Sequence, residues 1–251
     1  MTMPSWASAG GTDEHGTWAD LVVQGERHRP VVQRLRLIQP GRSVMGSPDD
    51  EPGRLVAEGP VHEVTILQPF WVFDTPCTQS LWLAVVGENP SEREQLDGPV
   101  EGVNFEDVQV FIRTLNNRTR GLNLTLPSEV QWEYACRAGA ATSRYAEPVE
   151  AIGWYAGNSG GRTHPVKQLR PNDWGLFDML GNVWEWCADG SSESYDGTPT
   201  DGSARPATAG DRRVVRGGSW RSVSRIVRAA YRNHADPFYR GDDFGFRCVR
   251  I

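Results

Sequence analysis

The content of tryptophan, glycine and proline is the feature of this sequence that most constrains its fold. Ten tryptophans, 27 glycines and 17 prolines occur in 251 residues. Glycine and proline favour turns and irregular loops, and each buried indole removes a large apolar surface from water. We therefore expect a fold with few long helices, in which large aromatic side chains pack between irregular loops.

Hydrophobic periodicity indicates where the regular elements lie. Alternating apolar and polar residues predict two strands, at 31–38 and 62–67. Capping residues and three- to four-residue spacing predict three helices, at 78–86, 104–116 and 128–139. Two further strand-like segments, 214–220 and 244–251, flank an arginine-rich stretch near the end of the chain. The sequence therefore predicts one α+β domain over residues 31–251, with short helices on an irregular antiparallel sheet. Residues 1–30 are predicted to be a polar, loosely attached lead-in that supplies an edge strand.

Charge and hydropathy exclude several classes of function. The formal net charge is −6, which argues against a nucleic-acid partner bound by general attraction to phosphate. The sequence has no apolar run near the roughly 20 residues that a membrane span needs, and its first residues lack the pattern of a secretion signal. We expect a cytoplasmic protein with no nucleic-acid or membrane partner. Four cysteines without a CxxC pair do not predict a disulfide scaffold or a thiolate zinc site.

Several ordered motifs resemble one known family. The segments are LPSEVQWEYACRAG (126–139), NDWGLFDMLGNVWEWCAD (172–189), VRGGSW (215–220) and GFRCVR (245–250). They resemble the formylglycine-generating-enzyme, or sulfatase-modifying-factor, family from about residue 37 to the end of the chain. The resemblance implies a C-type-lectin-like fold of low regular content. On residue type alone, Trp132, Trp184 and Trp186 are interpreted as aromatic core.

The resemblance also suggests an enzymatic alternative, but this chain lacks the metal-binding residues of the family's enzymes. Sulfatase-activating members of the family use a cysteine pair after RGGS to hold copper, and soft thiolates suit Cu(I). In this chain no cysteine lies between Cys187 and Cys248, so no catalytic residue is predicted. The ergothioneine-synthase type uses iron-binding histidines, whereas the five histidines here are scattered: His15, His28, His62, His164 and His234. A metal-dependent oxidase of either type and a generic regulatory module remain the alternatives.

Two further site predictions come from the resemblance. In some members, residues matching Asp178, Gly181, Val183 and Glu185 bind calcium through carboxylate and backbone oxygens, which are the ligands that Ca²⁺ prefers. No cofactor is required by this interpretation, and Ca²⁺ is the one metal considered; a capping carboxylate at a turn is the alternative. Cys136 and Cys248 match positions that form a disulfide in some members, so they are expected to lie close together, as thiols in a reducing cytoplasm.

Residues 221–244 have a restricted composition. The segment contains no Trp, Met, Glu, Gln or Lys, and every residue in it can be encoded by a codon ending in C. Targeted mutation of the first two bases of AAC codons would leave such a pattern. The frame RGGSW…R..R.A.RN..DP..R….GFR also resembles the variable region of proteins diversified by retroelements, several of which use the C-type-lectin-like fold. The alternative is that this frame is common to ordinary members of the family and is not diversified.

This resemblance implies a non-catalytic protein whose ligand, an unidentified protein or small molecule, contacts side chains presented on a rigid scaffold. Tyr231, Phe238 and Tyr239 are the predicted aromatic anchors. The predicted ligand-binding residues are Trp220, Arg221, Ser222, Val223, Ser224, Ile226, Val227, Tyr231, Asn233, His234, Ala235, Phe238, Tyr239, Gly241, Asp242, Asp243 and Phe244. Six arginines are predicted to hold the fixed frame through ion pairs or stacking: Arg216, Arg225, Arg228, Arg232, Arg240 and Arg247.

Overall fold

A computed structural model describes residues 3–25 and 29–251. The strands are β1 (Ala9–Asp13), β2 (Gly16–Gln24), β3 (Pro30–Ile38), β4 (Gly41–Met45), β5 (His62–Ile66), β6 (Phe70–Phe73), β7 (Leu124–Thr125), β8 (Gly153–Trp154), β9 (Leu180–Gly181), β10 (Trp184–Gly190), β11 (Arg213–Arg216), β12 (Arg232–Ala235), β13 (Phe244–Gly245) and β14 (Val249–Arg250). The α-helices are α1 (Gln79–Val86), α2 (Phe105–Arg118) and α3 (Glu129–Arg137). No helix among the described residues is both long and apolar enough to span a bilayer.

Two sheets organise the chain. The larger has six strands in the order β1-β2-β3-β6-β14-β7, and the smaller has four in the order β12-β11-β10-β13. Pairing is antiparallel in the larger sheet, and β10 pairs in parallel with β13 in the smaller one. Two-stranded pairs, β4-β5 and β8-β9, complete the pattern. Short helices beside mostly antiparallel strands confirm the predicted α+β class.

The N-terminal segment is attached to the domain more tightly than its polar composition suggests. β2 pairs with β3 from Trp18 to Gln24, and its alternate residues Ala19, Leu21 and Val23 are buried. β1 is the edge strand expected in this part of the chain. The expectation of loose attachment is therefore corrected, because one face of β2 belongs to the main core. Residues 1–2 and 26–28 of the predicted lead-in lie outside the described residues.

The three predicted helices are present, and each begins at the expected cap. The Thr78 and Ser128 hydroxyls accept hydrogen bonds from the backbone N–H groups of Leu81 and Gln131, and the Asn104 side chain caps α2. Side-chain caps of this kind satisfy N–H groups that a helix N-terminus leaves free. The apolar face predicted for α2 is buried, and consists of Val108, Phe111, Ile112 and Leu115.

Aromatic residues fill the core, as predicted. One hydrophobic cluster joins the six-stranded sheet to α1 and α2, where the Trp82 and Phe111 rings stack with centroids 5.3 Å apart. A second cluster surrounds α3 and includes Trp132. Trp184 and Trp186 belong to the first cluster. The interpretation of these three motif tryptophans as core residues is confirmed.

Buried ion pairs join α3 to the four-stranded sheet. Arg232, Arg216 and Glu185 lie opposite one another on neighbouring strands. Arg216 donates to Glu129 (2.9 Å) and to Glu133 (2.5 Å), two acidic residues one helical turn apart on α3. Desolvated charges are tolerated only when they are closely paired and hydrogen-bonded. The row of charged side chains therefore fixes how the helix lies against the sheet.

Candidate ligand-binding surface

The predicted binding segment begins at a sharp turn after β11. Gly217 and Gly218 both have positive φ angles, of 94° and 77°. A Cβ atom on Gly217 would lie 2.9 Å from the Met179 carbonyl oxygen, so glycine is required there for steric reasons as well. The turn is closed by Ser222, whose Oγ accepts a hydrogen bond from the Ser219 N–H (3.0 Å). Trp220 and the residues after it therefore leave the sheet edge in a defined direction.

The predicted ligand-binding residues divide into three groups by exposure. The exposed ones include three large apolar side chains: Val223 (47% exposed), Phe238 (67%) and Tyr239 (47%). The exposed polar members are Arg221, Ser224, Asn233 and His234, and the half-buried residues are Trp220, Ile226, Tyr231, Ala235 and Asp242. The buried residues are Ser222, Val227, Gly241, Asp243 and Phe244.

The five buried residues serve the scaffold, which corrects their assignment as ligand contacts. Val227 is fully buried in the second hydrophobic cluster. Phe244 packs against Trp186, with ring centroids 5.5 Å apart. Asp243 accepts a hydrogen bond from the Ser219 hydroxyl (2.6 Å). The composition of the segment could not separate these positions from exposed ones, because the same residue types serve both.

Tyr231 also differs from the other two predicted anchors. Its ring lies 6.1 Å from that of Trp184, and the Arg228 guanidinium lies 5.6 Å from its centroid. Burial is the largest cause of the raised pKa of its phenol. We therefore assign Tyr231 to the edge of the core, and Phe238 and Tyr239 are the two exposed residues among the predicted anchors. The Tyr239 ring is held edge-on against Phe244, at 5.0 Å.

The predicted arginine frame is largely confirmed. The ion-paired members are Arg216 with Glu129 and Glu133, Arg228 with Glu51 and Glu58, Arg232 with Glu129, Arg240 with Asp107, and Arg247 with Glu185. Arg225 is exposed and forms no ion pair within the part of the chain that the structure describes. Four of the paired arginines are buried, at positions 216, 228, 232 and 247. Their partners lie far away in sequence, so the segment is held by long-range contacts.

The surface contains two hollows on opposite edges of the four-stranded sheet. A cleft of about 200 Å³ lies near β13 and is lined by Glu92, Arg93, Glu101, Gly161, Arg162, Thr163, Trp220 and Asp242. A smaller hollow, of about 90 Å³, lies beside Asn233 and His234 on β12. In the first, the Trp220 Nε1–H donates to the Asp242 carbonyl oxygen (3.2 Å), and the Arg221 guanidinium lies 4.3 Å from the indole centroid.

The residues predicted to bind calcium do not form a suitable ligand set. Arg247 donates to both oxygens of Glu185 (2.7 Å each), and the Trp132 Nε1–H donates to Oε2 (2.7 Å). Asp178 has a positive φ of 52° and accepts a hydrogen bond from the Lys167 N–H (2.9 Å). Burial raises the pKa of Asp178 to about 6. In residues 3–25 and 29–251, no three His, Cys, Asp or Glu side chains form a group that could hold a metal.

The geometry therefore favours the alternative stated for these positions. Glu185 neutralises a buried arginine and Asp178 caps a turn. Between them, Gly181 ends β9 and Val183 directly precedes β10. Gly181 has a φ of 79°, and a Cβ there would lie 2.2 Å from the Trp154 carbonyl oxygen. The motif that carries the calcium prediction has a structural role in this chain.

The cysteines and histidines form no paired site among the described residues. All four cysteines are buried free thiols. Cys136 and Cys248 are both fully buried, and their expected proximity stays a prediction. Burial raises the pKa of Cys136 to about 12. His164 stacks on Trp154 with centroids 3.8 Å apart, and His15, His62 and His234 lie elsewhere; the prediction for His28 falls outside the described residues.

Comparison with known proteins establishes the family. The family described as "Sulfatase-modifying factor enzyme 1-like domain" matches residues 22–251, so the chain belongs to it. A formylglycine-generating enzyme of Streptomyces coelicolor is 36% identical over 171 residues, which are 60% of this chain and 52% of the relative. The chain spans about half the length of that curated relative. The family resemblance of the sequence motifs is confirmed.

Two solved structures share the fold. PvdO from Pseudomonas aeruginosa has a TM-score of 0.82 and 28% identity, covering 100% of this chain and 99% of that chain. Treponema denticola variable protein 1 has a TM-score of 0.80 and 26% identity, covering 92% of this chain and 98% of that chain. The expected C-type-lectin-like form of the formylglycine-generating-enzyme fold is thereby confirmed.

Proposed function

We propose that this protein is a non-catalytic ligand-binding member of its family, and that the ligand contacts the outward side of residues 220–244. The observation that carries the proposal is that some residues of this segment hold the fold while others are exposed and do not. Buried, ion-paired arginines hold the backbone, whereas Val223, Phe238 and Tyr239 expose apolar surface that the fold does not use. The ligand is a protein or a small molecule.

The chemistry of the exposed side chains supports this proposal. Aromatic residues supply large contact areas at a small cost in conformational entropy, and short polar residues add adaptable hydrogen bonds. Phe238 and Tyr239 lie next to each other in a loop between β12 and β13, with Asn233 and His234 on the preceding edge strand. Exposed apolar side chains beside polar ones are typical of binding surfaces.

We further propose that the surface is diversified by a retroelement. The codon-compatible composition of residues 221–244 supports this, as does the fold shared with a protein named as variable. The test is the DNA sequence around the gene. We expect an imperfect copy of the stretch that encodes residues 214–250, with differences at adenines, together with a reverse-transcriptase gene. If neither is found, the surface is an invariant one and the diversification proposal is wrong.

A stability measurement tests whether the anchors are free of the fold. In the double variant Phe238→Ala/Tyr239→Ala, we expect the free energy of unfolding to stay within about 0.5–1 kcal/mol of the starting protein, since both side chains are exposed. The matched control is Val227→Ala, a buried position of the same segment, which should cost about 2 kcal/mol. If the double variant costs as much as Val227→Ala, the two rings are structural and the proposed surface is wrong.

An oxygen electrode discriminates binding from oxidation. The protein is supplied with Cu(I) or Fe(II) and a cysteine-containing peptide, and oxygen uptake and metal content are measured. We expect no uptake above that of the free metal, because the described thiols are buried and their pKa values are raised. Stoichiometric metal with oxygen consumption would replace the binding proposal by the oxidase alternative.

A further inference from the structure

Among the residues that the structure describes, Glu101 is a buried carboxylate without a cationic partner, and it lines the cleft beside Trp220. The residue is 3% exposed. Its Oε1 accepts a hydrogen bond from the Glu92 N–H (2.8 Å), whereas Oε2 has no partner among the described residues. Other buried glutamates, such as Glu133 and Glu185, are bound by arginines. Because a desolvated carboxylate without a partner is costly, Glu101 is an exception that calls for an explanation.

The charges around Glu101 favour a bound cation. Burial raises its pKa to about 7, the carboxylates of Asp242 and Glu92 act in the same direction, and the N–H groups of Glu92 and Arg93 oppose them. Asp242 is already paired with Arg221. A positive group at the wall of the cleft would therefore neutralise Glu101, for which the described part of the chain supplies no ion-pair partner.

The rest of the cleft carries the opposite charge. Arg93 and Arg162 line it, are exposed, and form no ion pair in the part of the chain that is described. They would repel a basic peptide, but they can bind a carboxylate by paired hydrogen bonds. The volume of about 200 Å³ is below the roughly 300–1,000 Å³ of pockets that hold drug-sized ligands. The charges and the size of the cleft fit a small molecule that carries both an ammonium group and a carboxylate.

We propose that this cleft binds a free amino acid. Its ammonium group would face Glu101, its carboxylate would lie beside Arg93 and Arg162, and its side chain would lie along the Trp220 indole. The proposal rests on the proposed function, since Trp220 and Asp242 belong to the same surface, and it specifies the ligand class of that edge.

The test uses the full chain and the twenty standard L-amino acids as probes. Calorimetry and intrinsic tryptophan fluorescence are recorded for each, and saturable binding of at least one is expected. For the tightest binder, the amine lacking its carboxylate and the acid lacking its ammonium group are then titrated. Each should bind about tenfold more weakly or worse, since one charged contact is lost. Absence of binding by all twenty, or equal binding of the amine, overturns the proposal.

Glu101→Gln identifies the group that recognises the ammonium. The amide oxygen can still accept the hydrogen bond from Glu92, so the local structure should persist while affinity falls about tenfold or more. Glu94→Gln, an exposed position of the same loop, is the control and should change affinity less than about twofold. Unchanged affinity in Glu101→Gln contradicts the assignment.

The pH dependence gives an independent readout. Binding of an ammonium needs ionised Glu101, so affinity should rise between pH 6 and pH 8 in the starting protein and stay flat in Glu101→Gln. The other charged groups that line the cleft are Glu92, Asp242, Arg93 and Arg162. If no amino acid binds while Phe238→Ala/Tyr239→Ala still leaves stability unchanged, the amino-acid site alone fails. If that double variant also unfolds the protein, the proposed function fails as well.

Discussion

Arg216→Met should destabilise the protein strongly, because the guanidinium is fully buried and holds two carboxylates of α3. Its Nη1 donates to Glu129 (2.9 Å), and its Nη2 donates to Glu133 (2.5 Å) and to the Ala229 carbonyl oxygen. Methionine keeps about the length of the aliphatic part of the side chain but leaves the carboxylates short of one positive charge. Removing one partner of a buried ion pair typically costs about 3–5 kcal/mol.

The lower end of that range is expected here. Glu129 keeps its pair with Arg232, and Glu133 keeps its pair with Arg137, so neither carboxylate is left without a cation. We therefore expect a loss of about 3 kcal/mol in the free energy of unfolding, measured by urea denaturation at pH 7 with circular dichroism. The matched control is Arg225→Met, an exposed arginine of the same segment, which should stay within about 0.5 kcal/mol.

A double-mutant cycle separates the ion pair from simple loss of packing. Glu133→Gln with Arg216→Met should cost less than the sum of the two single changes, by about 0.5–3 kcal/mol, because the two side chains are in direct contact. An Arg216→Met protein within about 1 kcal/mol of the starting protein, with an unchanged denaturant slope, would refute the view that this network holds the helix on the sheet.

Three further predictions concern individual buried groups. The folded-state pKa of Glu101 is raised to about 7, above its ordinary 4.5, so its contribution to stability is complete below pH 4.5 and is lost as pH rises through 7. Between pH 5 and pH 8, the free energy of unfolding measured by denaturation should therefore fall by about 2 kcal/mol less in Glu101→Gln than in the starting protein. The four thiols, including Cys136, should not react with a thiol-specific reagent in the native state at pH 8 and should all react in 6 M guanidinium; prompt labelling of native protein would show that they are accessible. Lys167→Met removes the 2.7 Å ion pair to buried Asp74 and should cost about 2 kcal/mol. Because burial raises the pKa of Asp74, its carboxyl group is more fully ionised at pH 8 than at pH 5, so the cost should be larger at pH 8; equal costs at both pH values would contradict this.

Local sequence signals predicted the helices because their determinants are local. Thr78, Asn104 and Ser128 each satisfy N–H groups three residues ahead, and the apolar spacing of α2 maps directly onto its buried face. The strand predicted at 214–220 ends at Arg216 in the structure. Gly217 and Gly218 adopt positive φ angles there, which takes the chain out of the sheet.

The last predicted strand failed for a different reason. Residues 244–251 are divided between two sheets, since β13 pairs with β10 in the smaller sheet and β14 pairs with β6 and β7 in the larger one. The change of sheet depends on partners up to 179 residues away, such as Trp71 for Arg250, which no local pattern records. Glu101 was not predicted as a site residue for a similar reason. A glutamate in a polar loop is expected to be exposed, and only the fold shows that Glu101 is buried.

The buried arginines explain how one segment can combine a fixed backbone with a free surface. Arg228 reaches Glu58 and Arg232 reaches Glu129, so each arginine anchors the segment to another part of the chain. A guanidinium fixes geometry through directional, paired hydrogen bonds, whereas an apolar anchor depends on the close packing of its neighbours. The exposed residues between the arginines therefore contribute little to holding the fold, whereas the buried ones remain part of the scaffold. If the proposed function is right, substitutions at Val223, Phe238 or Tyr239 should alter ligand binding without altering the scaffold, as the proposed diversification requires.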